Sequence, residues 1–245
     1  MNRRVLLAFA RLFVVQGSMN SERLQGIGAA AAMEPLVRGL KDGSQDRTYE
    51  EALARAGQFF NTHPYLSGVA VGAAARAETT GAPPGQIVRL WTALKGPLGA
   101  IGDQLVWAGI VPTLAAGALV LVAVGHPMVG LFGFFVLFNI FHLFLRAWGL
   151  SVGLNNGLNV ARALKARWLS GALRGVGPLS AFFVGVLVPV GGNWLLKNFD
   201  GNMYWGGWVI AGVTPILSIW LLPTTGAARI GLMVVFAALL GGIIW

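Results

Sequence analysis

The sequence contains no cysteine, which excludes disulfides, thiolate metal centres and cysteine nucleophiles. Acid is scarce as well. Nine Asp and Glu stand against 18 Lys and Arg, and charged residues make up 11% of a chain that is 56% apolar, compared with ~25% charged in an average soluble domain. Charge is absent altogether between Asp103 and Arg146, a run of 42 residues without Asp, Glu, Lys or Arg. With a mean hydropathy of +0.68, the chain reads as an integral membrane protein of the all-α class, since helices satisfy their own backbone in lipid. The net charge of +9 does not indicate nucleic acid, because the basic residues sit beside apolar spans as anchors at a bilayer surface.

What is present divides the chain near residue 85. Seven of the nine acids precede that point, leaving only Asp103 and Asp200 after it. Residues 1–85 read as an amphipathic, interfacial helical region and 86–245 as a membrane-embedded helical region, the two forming one folding unit. Val5–Val15 is apolar but interrupted by Arg11, and eleven residues of helix rise only ~16 Å, too little for ~30 Å of hydrocarbon. It reads as a helix lying in the interface. Asn20 is placed to cap the next helix, with Glu22 in its first turn, and Pro35 to kink it. Thr48-Tyr49-Glu50-Glu51 fits a capping box for a helix carrying Ala52, Leu53, Ala56, Phe59 and Phe60 on one face. A second amphipathic helix is expected from Leu66 to Thr79.

About five membrane helices follow: Trp107–Gly125, Met128–Leu145, Val176–Leu196, Tyr204–Leu222 and Ile230–Trp245, the last marginal for a crossing. The stretch Arg146–Arg174 carries Arg146, Arg162, Lys165, Arg167 and Arg174 without an acid, which makes it cytoplasmic by the positive-inside rule. That places the N-terminus inside and the C-terminus outside. Ahead of the first span, Gly96-Pro97-Leu98-Gly99-Ala100-Ile101-Gly102-Asp103 predicts a sharply folded, re-entrant segment. Irregular backbone survives at membrane depth only against protein or a wet cavity, so this run points to a transport path or a tight subunit contact. Gly177-Pro178-Leu179 repeats its first triplet, a trace of an inverted repeat or a coincidence in a glycine-rich chain.

No catalytic set assembles. His63, His126 and His142 fall on different elements without metal-ligand spacing, and no phosphate-binding loop or nucleophile motif is present, so neither a metal nor a cofactor is expected. Asn61-Thr62-His63-Pro64-Tyr65 is a polar turn, read either as a helix stop or as the lip of a pocket. Asp103 reads as an N-cap for the next span and, at the edge of a charge-free run, as a group facing an interior. Asn139, His142 and Arg146 share one helical face, either packed on a neighbour or lining a cavity.

Several of these segments together resemble a known family. Gln16-Gly17-Ser18 with Asn20, Glu22-Arg23 and Gln25; Phe59-Phe60-Asn61-Thr62-His63-Pro64-Tyr65; Gly96-Pro97-Leu98 with Gly102-Asp103; and Leu137-Phe138-Asn139 with Arg146 and Gly149 are similar to the IID membrane component of the mannose/fructose/sorbose family of sugar phosphotransferase systems. The resemblance covers about residues 9–160. It implies a non-catalytic permease subunit that forms the translocation unit with a IIC protein. A hexose would be phosphorylated by IIB, itself charged by IIA, so the phosphoryl chemistry would lie on partners. Taken with the residue readings above, the candidates for a substrate path or subunit contact are Asn61, Thr62, His63, Pro64, Gly96, Pro97, Gly102, Asp103, Asn139 and His142. The alternative is a membrane scaffold or regulatory protein that keeps the fold without moving sugar.

Overall fold

The computed structural model describes residues 2–42 and 49–198. Nine α-helices are found among them: α1 Arg3–Arg11, α2 Gly26–Val37, α3 Tyr49–Ala56, α4 Ser67–Thr79, α5 Pro84–Gly102, α6 Val111–Ala123, α7 Pro127–Asn156, α8 Val160–Ala163 and α9 Arg167–Asn198. Among the described residues, three stretches are long and apolar enough to cross a membrane: Pro84–Ala123, Pro127–Ala163 and Arg167–Trp194. The expected spans Tyr204–Leu222 and Ile230–Trp245, and the capping residue Thr48, lie outside the described residues. The described residues resolve into two compact units, one drawn from 2–114 and 135–180, the other from 115–134 and 181–198.

The glycine run does not fold back. Helix α5 continues through a π-helical segment, Asp103–Ile110, directly into α6. A re-entrant turn needs glycine at positive φ, and the glycines with positive φ among the described residues are Gly81, Gly125 and Gly157. Asp103 is accordingly a helical residue, φ −62° and ψ −45°, rather than an N-cap. The expected turn at Gly125-His126-Pro127 is present, with Gly125 at φ +93°. The basic connection 146–174 is mostly helix; its break narrows to residues 164–166.

In the first unit, α4 is the central element. Every residue from Ser67 to Glu78 except Arg76 is buried, so it is enclosed on nearly all sides, as a core helix is, rather than half exposed like a surface amphipathic helix. Its glycines let α7 approach backbone to backbone. A Cβ on Gly72 would lie 2.6 Å from the Leu150 carbonyl oxygen, and one on Gly153 would lie 2.4 Å from that of Val69. Gly68-x3-Gly72 and Gly149-x3-Gly153 therefore form two small-residue faces in contact.

Ion pairs hold the shorter helices. Glu34 of α2 accepts from Arg11 (2.7 Å), from Arg38 and from the Tyr49 hydroxyl (2.8 Å). Burial raises its pKa, but those three donors outweigh burial and hold it below the usual carboxylate range. Arg55 of α3 pairs weakly with Glu51 at 3.6 Å, as the spacing suggests, but reaches Glu78 bidentately at 2.7 and 2.9 Å. The Glu78 side chain is fully buried there. The segment after α1 forms a reverse turn before α2 begins. Asn20 Oδ1 accepts from the Glu22 and Arg23 backbone N–H groups, so Asn20 organises a turn and does not cap a helix.

Candidate functional site

The loop 57–66 leaves α3 earlier than Pro64 requires, and Phe60 turns inward while Phe59 stays exposed. Two brackets fix it. Backbone bonds join Gln25 N–H to the Phe60 carbonyl (2.8 Å) and Phe60 N–H to that of Arg23 (3.2 Å). The Gln25 amide then clasps Thr62, donating to its carbonyl at 2.6 Å and accepting its N–H at 3.3 Å.

His63 follows, 2% exposed. Its Nδ1 accepts the Tyr65 N–H at 3.3 Å, while Nε2 is buried without a partner. Burial pushes its pKa down to about 4; Asp103 pulls it upward and Arg146 downward. The ring is therefore a neutral imidazole at neutral pH, with its proton on Nε2. Gly102 lies flat against it, since a Cβ there would come 2.1 Å from His63 Cβ. Absence of a side chain, and not freedom of φ, is what this glycine provides.

Around the loop stand aromatic rings from three segments. Trp107 of the π segment lies 5.6 Å from the His63 ring, and Tyr65 lies 5.3 Å from His142 and 6.2 Å from Phe138. Phe13, just beyond α1, meets His142 at 6.0 Å. Asn139 Oδ1 is 3.0 Å from His142 Nε2, which joins the first two members of the polar stripe on α7. The third, Arg146, is 3% exposed and its guanidinium lies 4.7 Å from both the Phe13 and Tyr65 rings.

Thr62, His63, Pro64, Gly102 and His142 thus belong to one neighbourhood, with Asn139 attached through His142. Asp103 is exposed beside it and acts on His63 through its charge. Asn61 is exposed at the start of the turn. Gly96 and Pro97 are exposed on α5, and a Cβ on Gly96 would meet nothing within 4 Å. They are not part of the cluster. Sequence reasoning missed Tyr65, Trp107 and Phe13 as its walls. Trp107 stands one helical turn beyond Asp103, but aromatic residues are so common in membrane spans that this spacing carried no signal of its own. Among the described residues, no group of three His, Cys, Asp or Glu is arranged to hold a metal ion. The cluster offers hydrogen-bond donors, aromatic faces and one cation, without a nucleophile–base pair.

The family model of the PTS system mannose/fructose/sorbose family IID component matches residues 2–191. The chain belongs to this IID family. It is 31% identical to the mannose-specific EIID component of Escherichia coli K12 over 186 residues, covering 74% of this chain and 65% of the relative. Identity to the sorbose-specific EIID component of Klebsiella pneumoniae is 35% over 185 residues, covering 74% and 66%. The chain thus spans about two thirds of these relatives' length. Among solved structures, it is similar to a chain in a cryo-EM structure of the mannose transporter ManYZ with microcin E492, with a TM-score of 0.56, 29% identity, and coverage of 77% of this chain and 70% of that one. A second solved membrane protein gives a TM-score of 0.65 at 28% identity, with the same coverage. Residues of the segments Phe59–Tyr65, Gly102-Asp103 and Leu137–Asn139 with Arg146 meet at or beside the His63 cluster, although they are far apart in the sequence.

Proposed function

We propose that this IID protein is the non-catalytic membrane subunit of a sugar phosphotransferase permease. With a IIC membrane subunit it forms the translocation unit for a hexose of the mannose, fructose, sorbose or N-acetyl amino sugar class. IIB phosphorylates the sugar after being charged by IIA. The observation that carries this reading is the family match over residues 2–191. The names of the relatives, mannose- and sorbose-specific EIID components and a fructose permease IID component, support the substrate class.

In this reading Asn61, Thr62, His63, Pro64, Gly102, Asp103, Asn139 and His142 line the sugar path or the contact with IIC, and Gly96 and Pro97 belong to that contact surface. The neutral His63 ring can donate from Nε2 to a hydroxyl without presenting a charge. Arg162, Lys165 and Arg167 are exposed around the helix break at 164–166, where they would meet IIB on the cytoplasmic side of the inner membrane. This orientation keeps the N-terminus inside.

Two measurements test the proposal. Tagged chain purified from native membranes in mild detergent brings down a IIC protein, with IIB at lower yield. Deleting the chain abolishes phosphorylation-coupled hexose uptake, and restoring it returns uptake. Recovery of the chain without a IIC protein, or uptake that survives the deletion, overturns the reading.

A further inference from the structure

Arg146 is a buried cation in an apolar helix, and no carboxylate among the described residues forms an ion pair with it. A buried charge without a counter-charge is expensive, and an apolar residue of similar size would pack there at less cost. What the guanidinium does have is a set of contacts that only its shape supplies. The Phe13 and Tyr65 rings each lie 4.7 Å from it. Nη1 donates to the Leu12 carbonyl at 2.5 Å and reaches the Pro64 carbonyl at 3.5 Å. Both ring contacts and both carbonyls come from just two places, the end of the α1 segment and the 57–66 loop. These are 134 and 82 residues away in sequence.

We infer that Arg146 is the positioning residue of the Thr62–Tyr65 loop, a latch that fixes it and the Leu12–Phe13 segment onto α7. The Gln25 amide holds the loop at Thr62, and Arg146 holds it at Pro64 and Tyr65, so His63 is seated against Gly102 from both sides. A planar cation with several donors can stack on rings and bond carbonyls at the same time. A lysine ammonium on a flexible stem has neither the flat face nor the fork.

The protein has no cysteine, so a single introduced thiol reports loop opening without background. Thr62→Cys places a thiol at a buried loop position, and Ala74→Cys places one in buried α4 beside a small cavity that can take the added atom. In full-length protein in native membranes, N-ethylmaleimide should label Thr62→Cys at least tenfold faster when combined with Arg146→Lys or Arg146→Met. Ala74→Cys should stay as protected as before. Phe13→Leu, which removes one ring from a partly exposed position, should also speed Thr62→Cys labelling, by a smaller factor, and covers the case in which the Arg146 variants fail to accumulate. Unchanged labelling of Thr62→Cys in these backgrounds overturns the latch. So does parallel opening of Thr62→Cys and Ala74→Cys, which would make Arg146 a general stabiliser.

The consequence for transport rests on the proposed function, but the labelling result does not. If the loop opens in Arg146→Lys while hexose uptake is unaffected, the latch stands and the loop's place in the sugar path falls.

Discussion

At the scale of single residues, two positions show how the same residue type acts in opposite ways. Gly102 is pressed against the stem of His63, whereas Gly96 faces open space. Gly102→Ala should destabilise the protein by about 1–3 kcal/mol, the usual cost of overpacking where the neighbour cannot swing aside. Gly96→Ala should stabilise the isolated chain by about 0.5–1 kcal/mol, the helix preference of Ala over Gly. Melting temperatures of the two variants in detergent check both signs. His63 adds a pH dependence. Its folded pKa of about 4 lies below an unfolded value near ~6.5, so the unfolded chain binds the extra proton between those limits. Stability from the neutral ring is complete above about pH 6.5. It falls as pH drops toward 4, by at most about 1.4 kcal/mol per unit. The charged and titratable groups around the ring are Asp103, Tyr65, His142 and Arg146. A plot of melting temperature against pH should flatten over this window in His63→Asn.

At the scale of elements, the contact of α4 with α7 depends on four glycines. Gly153→Val should be severe, since even a Cβ there meets the Val69 backbone; loss of folded protein in membrane fractions is the expected readout. The Arg55–Glu78 pair gives a second element-level prediction. Glu78→Gln removes the bidentate carboxylate and leaves Arg55 only the weaker pair with exposed Glu51 at 3.6 Å, which should cost about 1–3 kcal/mol. A double variant with apolar residues at 55 and 78 should recover most of that stability, and thermal melts of the three proteins decide it. Both features bear on what the sequence could reveal. Three of the five expected spans fall on helices long and apolar enough to cross a membrane, legible because composition alone marks them, and the Gly125 turn was legible because proline follows it; the other two lie outside the described residues. Burial of α4 was hidden. Glu78 and Arg76 gave it a polar side on a helical wheel, and the partner that neutralises Glu78 lies 23 residues away. The two Gly-x3-Gly spacings could have signalled the α4–α7 contact, but in a chain with 35 glycines they did not stand out. The glycine run misled for a related reason. Glycine at 96, 99 and 102 suggested special dihedrals, whereas at Gly102 it supplies room for a neighbour.

At the scale of the whole molecule, the distribution of charge matters more than its sum. Two acids of the first third, Glu34 and Glu78, are each bound by arginine, while Arg162, Lys165 and Arg167 are exposed. If these three meet an acidic face of IIB, as the proposed function holds, association should weaken as salt rises, because exposed charges are screened within ~8 Å at physiological ionic strength. Replacing all three by Ala should slow association and remove most of that salt dependence, with uptake falling in parallel. Equal association rates for the triple variant and the parent would exclude this docking surface.

The packing of α4 onto α7 also has a consequence in time. Gly68 and Gly72 find their backbone partners only at Arg146, Leu150, Gly153 and Leu154. A ribosome adding about 5–20 residues per second needs roughly 4–16 s to cover that distance. For that interval the newly made core helix lacks its α7 face, and the loop carrying His63 has no arginine to hold it. This nascent stage is when a membrane protease or an insertion chaperone has the best access to the chain. Variants at Gly149, Gly153 or Arg146 should therefore lower yield during synthesis more than they shorten the lifetime of the finished protein.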